Sequence, residues 1–159
     1  FGLSQQLKIS AGEAKGIMEN YFERFGGVKN YLDHVVEVAR EDGYTQTLFG
    51  RRRYLPELSS SNRVARENAE RAALNAPIQG TAADIIKIAM LRVDCALRAG
   101  EYKSRVLLQV HDELVVEVAP GELEQMSELL TQEMDHAVSL RVPLDVSAGH
   151  GKNWDLAAH

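Results

Sequence analysis

The chain has 159 residues, 45% apolar and 26% charged, with a formal net charge of −5 and a single cysteine, Cys95. Those figures describe an ordinary globular protein able to bury one core, and they exclude a disulfide framework within the chain. The acidic balance argues against a generic nucleic-acid binder, and the absence of a run of about 18 apolar residues argues against a spanning helix.

No signal peptide is visible. The opening Phe1-Gly2-Leu3-Ser4 has no initiator Met and no targeting character, so the chain is expected to be a piece of something longer. Charge is unevenly placed along it. Residues 50–71 hold six arginines against three glutamates, whereas residues 112–135 hold eight acids and no Lys or Arg. Such asymmetry can place one basic surface on an acidic body, although two ordinary solvated faces produce the same count.

Ser10-Ala11-Gly12-Glu13 reads as a capping box opening a helix. Ala14, Ile17, Met18, Tyr21, Phe22 and Phe25 follow at helical spacing, one apolar stripe expected to be core. Gly26-Gly27 is expected to end that helix. A second runs from Val28 to about Arg40, with Tyr31, Leu32, Val35 and Val36 inward and a stop at Asp42-Gly43.

Residues 44–49 and 51–55 read as two short strands around Gly50, closed by Pro56. Alternation sends Arg51 and Arg53 to one face and Arg52 to the other. Phosphate contact and a structural ion pair remain equal readings of this triplet. After a polar loop, residues 62–74 are expected to be helical, Pro77 to interrupt the helix, and a new helix to open near Gly80-Thr81 with Thr81 and Asp84 as caps. Along residues 80–98 Asp84, Lys87, Asp94 and Arg98 fall within a narrow stripe and nearly all else is apolar, so that helix is expected to be mostly buried.

Residues 105–118 pair two apolar, β-branched runs, Val106-Leu107-Leu108 and Leu114-Val115-Val116, expected to be buried strands. Gln109, His111, Asp112 and Glu113 lie between them without a glycine to ease the turn, where hairpins ordinarily recruit one. A solvated turn explains polar residues at a tip, and so does a carboxylate offered to a hard divalent cation; spacing alone leaves both open. Pro120-Gly121 opens an amphipathic helix carrying Leu123, Met126, Leu130, Met134 and Ala137 inward. Leu144, Val146 and Ala148 alternate as a final strand. The fold class is α+β, with an antiparallel sheet packed on helices.

The stretches AERAALNAPIQGTAADIIKIAM (69–90), LLQVHDELVVEV (107–118), TLFGRRRYLPEL (47–58), FGLSQQLKIS (1–10) and GKNWDLAAH (151–159) occur in the order found in the family A DNA polymerases, which the chain resembles over essentially its whole length. The resemblance implies a palm whose antiparallel sheet carries a catalytic hairpin, with residues of about 1–62 on the fingers side and about 63–159 associated with the palm. It implies template-directed transfer of a nucleotide from a dNTP to a primer 3′-hydroxyl in replication or repair. Asp112 matches a metal-binding aspartate, and Glu113 a neighbouring carboxylate of lesser importance. Strand alternation keeps the two from pointing equally at one ion. His111, Arg71, Asn75 and Gln79 match residues that contact the primer–template duplex and the nascent pair, and Arg66 matches an arginine with a weaker claim to template contact. Without the resemblance, Asn75 reads as a helix-end cap and Gln79 as a solvated loop residue.

The implied cofactor is Mg2+ in a two-metal site whose other carboxylate lies upstream of residue 1, as does the helix that holds the incoming nucleotide. The implied partners are primer–template DNA, dNTP and the rest of the polymerase chain, with no membrane. The implied location is the bacterial cytoplasm beside the nucleoid. The match to a family C-terminus puts His159 at or near the natural end. The isolated 159 residues are expected not to polymerise. Two other classes stay in view: a non-catalytic DNA-binding module that keeps the fold, and a metal-dependent hydrolase using His111, Asp112 and Glu113. The hydrolase lacks a further spaced cluster of carboxylates or histidines.

Overall fold

The computed structural model describes residues 2–157; Phe1, Ala158 and His159, and with them the reading of His159 as at or near the natural end, lie outside the described residues. The elements are α1 (Gly2–Leu7), α2 (Ala11–Arg24), α3 (Gly26–Asp42), β1 (Tyr44–Gln46), β2 (Arg52–Tyr54), a 3-10 turn (Pro56–Ser59), α4 (Arg63–Ala99), β3 (Arg105–Val110), β4 (Glu113–Glu117), α5 (Leu123–Asp135) and α6 (Trp154–Ala157). Two separate antiparallel hairpins, β1–β2 and β3–β4, supply the sheet, so the fold is mixed helix and antiparallel strand. The chain divides into two compact units: the described residues within Phe1–Gln46 and Gly50–Pro77, and those within Thr47–Phe49 and Ile78–His159.

In the first unit the capping box forms. Ser10 Oγ accepts from the Glu13 amide at 3.2 Å, and the Glu13 carboxylate accepts from the Ser10 amide at 2.9 Å. Gly26-Gly27 does not end the chain's helical run as expected. A single residue, Phe25, separates α2 from α3, and Gly26 already belongs to α3. Helix α3 stops at Gly43, whose φ of +77° is the left-handed cap that glycine adopts without a Cβ clash. The expected aromatic core is also corrected: Ile17, Met18, Tyr21, Phe25 and Tyr31 are each close to half exposed, and only Ala14 on α2 and Ala39 on α3 are buried. Helical periodicity identifies a stripe but not what covers it. The unit's core is instead small-residue packing of Ala39, Ala69 and Ala73 against Leu55 and Leu58, with Arg40 donating to Glu70 at 2.6 Å beside it.

Gly50 turns the β1–β2 hairpin with φ +83°, pairing Tyr44 with Tyr54 and Gln46 with Arg52. The Arg52 guanidinium stacks 4.4 Å above the Tyr44 ring. Pro56 opens the 3-10 turn rather than merely closing a strand.

Helix α4 corrects the expected break at Pro77: it is one helix from Arg63 to Ala99 with Pro77 inside it, and the division between the units falls just after that proline. Proline removes one donor, leaving the Ala73 carbonyl without the amide of residue i+4. Burial of Ala69 and Ala73 against Leu55 and Leu58 holds the preceding turns in place, so packing outweighs local propensity. Thr81 is therefore not a cap; its hydroxyl accepts from the Leu48 amide at 3.1 Å. Nor is the stretch 80–98 of α4 wet only along a thin edge, because Leu91 is more than half exposed.

The second unit is centred on Val93 and Leu97 of α4 and Met126 of α5, with Val106 of β3, Leu114 of β4, and Val118, Leu129, Leu130 and Met134 packed around them. Arg92 ties α5 to α4 by donating to Glu133 at 2.9 Å and to the His136 carbonyl. The expected strand at 144–148 is not formed. The segment is irregular, and Val146 donates its amide to the Asp135 carboxylate at 2.8 Å. Alternation marks a strand-competent segment, yet a strand needs a neighbouring edge to pair with, and none pairs with it among the described residues.

Candidate active-site hairpin

Ser104 and Glu122 anchor the base of the β3–β4 hairpin. Ser104 is buried; its amide and hydroxyl and the Lys103 amide all donate to the Glu122 carboxylate, while its oxygen accepts from the Ala119 amide at 2.9 Å. The Ser104 hydroxyl, then the Lys103 amide, hold the Glu122 carboxyl below its usual range.

Along the ladder Val106 faces Val116, but Leu108 faces Val115, so Leu107 is an extra residue bulged out of β3. One inserted residue exchanges the faces for the rest of a strand. Directly paired residues share a face, so Gln109 falls on the side of Leu114, with the core, whereas Val110 and Glu113 fall on the other side with Leu108 and Val115. The expectation of strands buried on both faces fails here: Leu107 and Leu108 are nearly half exposed, because a two-stranded hairpin covers only the face that meets α4 and α5.

The tip is His111-Asp112, two residues between the paired Val110 and Glu113. His111 has φ +52°, a left-handed conformation that costs a residue with a Cβ about 1–2 kcal/mol. The Gln109 side-chain amide donates to the His111 carbonyl at 2.6 Å. His111 and Asp112 are exposed and Glu113 half-buried. The hairpin thus brings His111, Asp112 and Glu113 together at one tip, in the second unit, to which Gln79 also belongs. Arg66, Arg71 and Asn75 belong to the first.

On α4, Arg71, Asn75 and Gln79 are all exposed, at four-residue intervals of an unbroken helix. Neither Asn75 nor Gln79 is an end cap or a loop residue, since both lie inside the helix. Arg71 donates to the Asn68 side chain, an exposed bond that a better acceptor can replace at little cost. Arg66 is half-buried and donates to the Ser60 carbonyl at 3.0 Å, which fixes the loop before α4. The residue without a role in the sequence pattern is Gln109; its only signal there is its place beside a tip that contains no glycine.

Carboxylate oxygens suit a hard cation such as Mg2+. Asp112 and Glu113 supply two such groups. Among the described residues no set of three or more His, Cys, Asp or Glu side chains could hold a metal ion, so the donor chemistry fits and the donor number is incomplete. No described helix is long and apolar enough to cross a membrane.

Residues 1–156 match the description DNA polymerase family A. The chain belongs to that family. DNA polymerase I of Mycobacterium tuberculosis is 64% identical over 159 residues, covering all of this chain and 18% of the relative, and DNA polymerase I of Streptococcus pneumoniae is 54% identical over 154 residues, again 18% of its length. The chain thus spans about a fifth of the curated family A relatives it matches. Among solved structures, the POL domain of Pol1 from M. smegmatis in complex with DNA primer-template and dNTP is 62% identical, with a TM-score of 0.95 over the whole of this chain and 28% of its own.

Proposed function

We propose that this chain forms part of a bacterial, cytoplasmic DNA polymerase that works on nucleoid DNA, with residues of about 1–62 on the fingers side and about 63–159 in and around the palm. The reaction is transfer of a nucleotide from a dNTP to a primer 3′-hydroxyl under the direction of a template. Asp112 at the hairpin tip supports this reading most directly, in a family A chain whose relative of known structure holds primer-template and dNTP.

In this reading Asp112 offers its carboxylate oxygens to Mg2+, and Glu113 is a neighbouring carboxylate of smaller effect, set by the ladder on the face away from the hairpin's packed side. When bound, two such cations favour the ionised 3′-hydroxyl and neutralise the leaving pyrophosphate. The rest of the chemistry is positioning. Arg71, Gln79 and His111 are hydrogen-bond donors, matched to the purine N3 and pyrimidine O2 acceptors that every base pair offers in the minor groove. Donors there cannot tell A·T from T·A, which lets them monitor pair shape for any sequence. Asn75 and Arg66 add contacts to the duplex and its backbone. Partners are primer–template DNA, dNTP and the rest of the polymerase chain.

The test is Asp112→Ala in the full-length polymerase, assayed for primer extension and for duplex binding. Extension should collapse while the duplex Kd stays within about threefold of the parent, since Asp112 acts on the reacting phosphate and not on the duplex. A non-catalytic DNA-binding module predicts binding without extension in the parent itself. Unchanged extension in the variant removes Asp112 from the reaction.

A further inference from the structure

We infer that Gln109 is a positioning residue for Asp112: its side-chain amide holds the peptide at the hairpin tip in the one orientation that presents the carboxylate. This rests on the proposed role of Asp112 and extends it to a residue whose side chain bonds the tip peptide itself.

Three observations carry the inference. The tip has only two residues, and the backbone reversal is made by His111 in the left-handed region rather than by a glycine. A residue with a Cβ leaves that region readily unless something holds it. Next, the Gln109 amide donates to the His111 carbonyl at 2.6 Å. That carbonyl belongs to the peptide plane joining His111 to Asp112, so fixing it fixes the direction in which Asp112 leaves the tip. Third, the bulge at Leu107 is what puts Gln109 on the Leu114 side of the ladder, opposite the face of Val110 and Glu113. Without the extra residue the alternation would send its side chain to the other face.

The residue type also fits. A lysine or arginine at this position could donate to the same carbonyl, but its charge beside the tip would attract the Asp112 carboxylate and compete with a cation for it. Glutamine supplies a donor with no net charge. Glutamate has the same shape and would set a carboxylate against a carbonyl oxygen.

The test uses the full-length polymerase with Gln109→Ala and Gln109→Glu, alongside Asp112→Ala. Three quantities are read: single-turnover extension at saturating dNTP, Mn2+ binding to the polymerase–duplex complex by electron paramagnetic resonance, and amide exchange of the peptide spanning 109–114. Gln109→Ala should slow extension by about tenfold, equivalent to ~1.4 kcal/mol, with duplex Kd and the dNTP KM within about twofold of the parent. It should also weaken Mn2+ binding and speed exchange at the tip, and Gln109→Glu should be worse than Gln109→Ala in all three. A residue that only stabilises the fold would lower the melting temperature and leave the Mn2+ affinity and the order of the two variants unaffected. Extension abolished by Asp112→Ala but parental in Gln109→Ala overturns this inference alone. Parental extension in Asp112→Ala overturns the metal-site reading, and this inference with it.

Discussion

Met126→Ala tests whether the hairpin depends on the helix beneath it. Met126 is 1% exposed and lies with Val93 and Leu97 at the centre of the second unit, with Val106 of β3 and Leu114 of β4 packed on the same cluster. Removing its thioether leaves a hole between α5, α4 and the face of the hairpin that carries Val106 and Leu114. Burial of this kind is worth ~2–5 kcal/mol for Met→Ala, depending on how far the surroundings collapse. At ~1.4 kcal/mol per decade, local opening of β3–β4 should become about 30- to 5,000-fold more frequent. Native-state amide exchange of the backbone of 105–117 reads that directly, and the β1–β2 hairpin, in the other unit, is the internal control. Faster exchange in β3 and β4 with β1 and β2 unmoved is the expected result. Protection in β3 and β4 within about threefold of the parent would refute the reasoning, since local opening would then not depend on this cluster.

Two further predictions concern the base of the hairpin and the limits of the chain. Ser104→Ala removes a donor to Glu122 and leaves the Ala119 amide without its acceptor, a loss of about 1–3 kcal/mol that thermal unfolding of the parent and variant should register. The Glu122 carboxyl is held low by those same donors in the folded protein, so its contribution is present above the ordinary glutamate range and is lost as pH falls through the lowered folded value. In Ser104→Ala, acid should therefore destabilise the hairpin less than it does in the parent; an identical pH profile would exclude this linkage. The 159 residues alone should show no primer extension, because the described residues offer no complete set of metal ligands; measurable extension by the isolated chain would contradict that.

Local rules served well where the partners lie within a few residues. Ser10 and Glu13 cap each other three residues apart, and Gly43 ends α3 by its own left-handed backbone, so both were legible from the sequence. The β3–β4 hairpin was legible from its two apolar runs, and the family from the motifs around it. What failed depended on surroundings. Pro77 stays inside α4 because Ala69 and Ala73 are packed by Leu55 and Leu58, contacts that a rule about proline does not contain. The stripe on α2 and the segment 144–148 carry the periods of a buried face and a strand, and a period does not say whether anything lies opposite. The bulge at Leu107 was hidden for a different reason: nothing in a run of valines and leucines marks the residue that will be left out of the ladder. That one omission decides which face carries Gln109.

The central claim is that an oxygen of Asp112 binds the catalytic cation, and Asp112→Cys in the full-length polymerase tests it most directly. A thiolate is a poor ligand for Mg2+ and a good one for softer ions such as Cd2+. Primer extension by Asp112→Cys should be lost in Mg2+ and partly restored by Cd2+, while Asp112→Ala stays inactive with either ion. Parental extension by Asp112→Cys in Mg2+, or equal recovery of both variants in Cd2+, would contradict the claim.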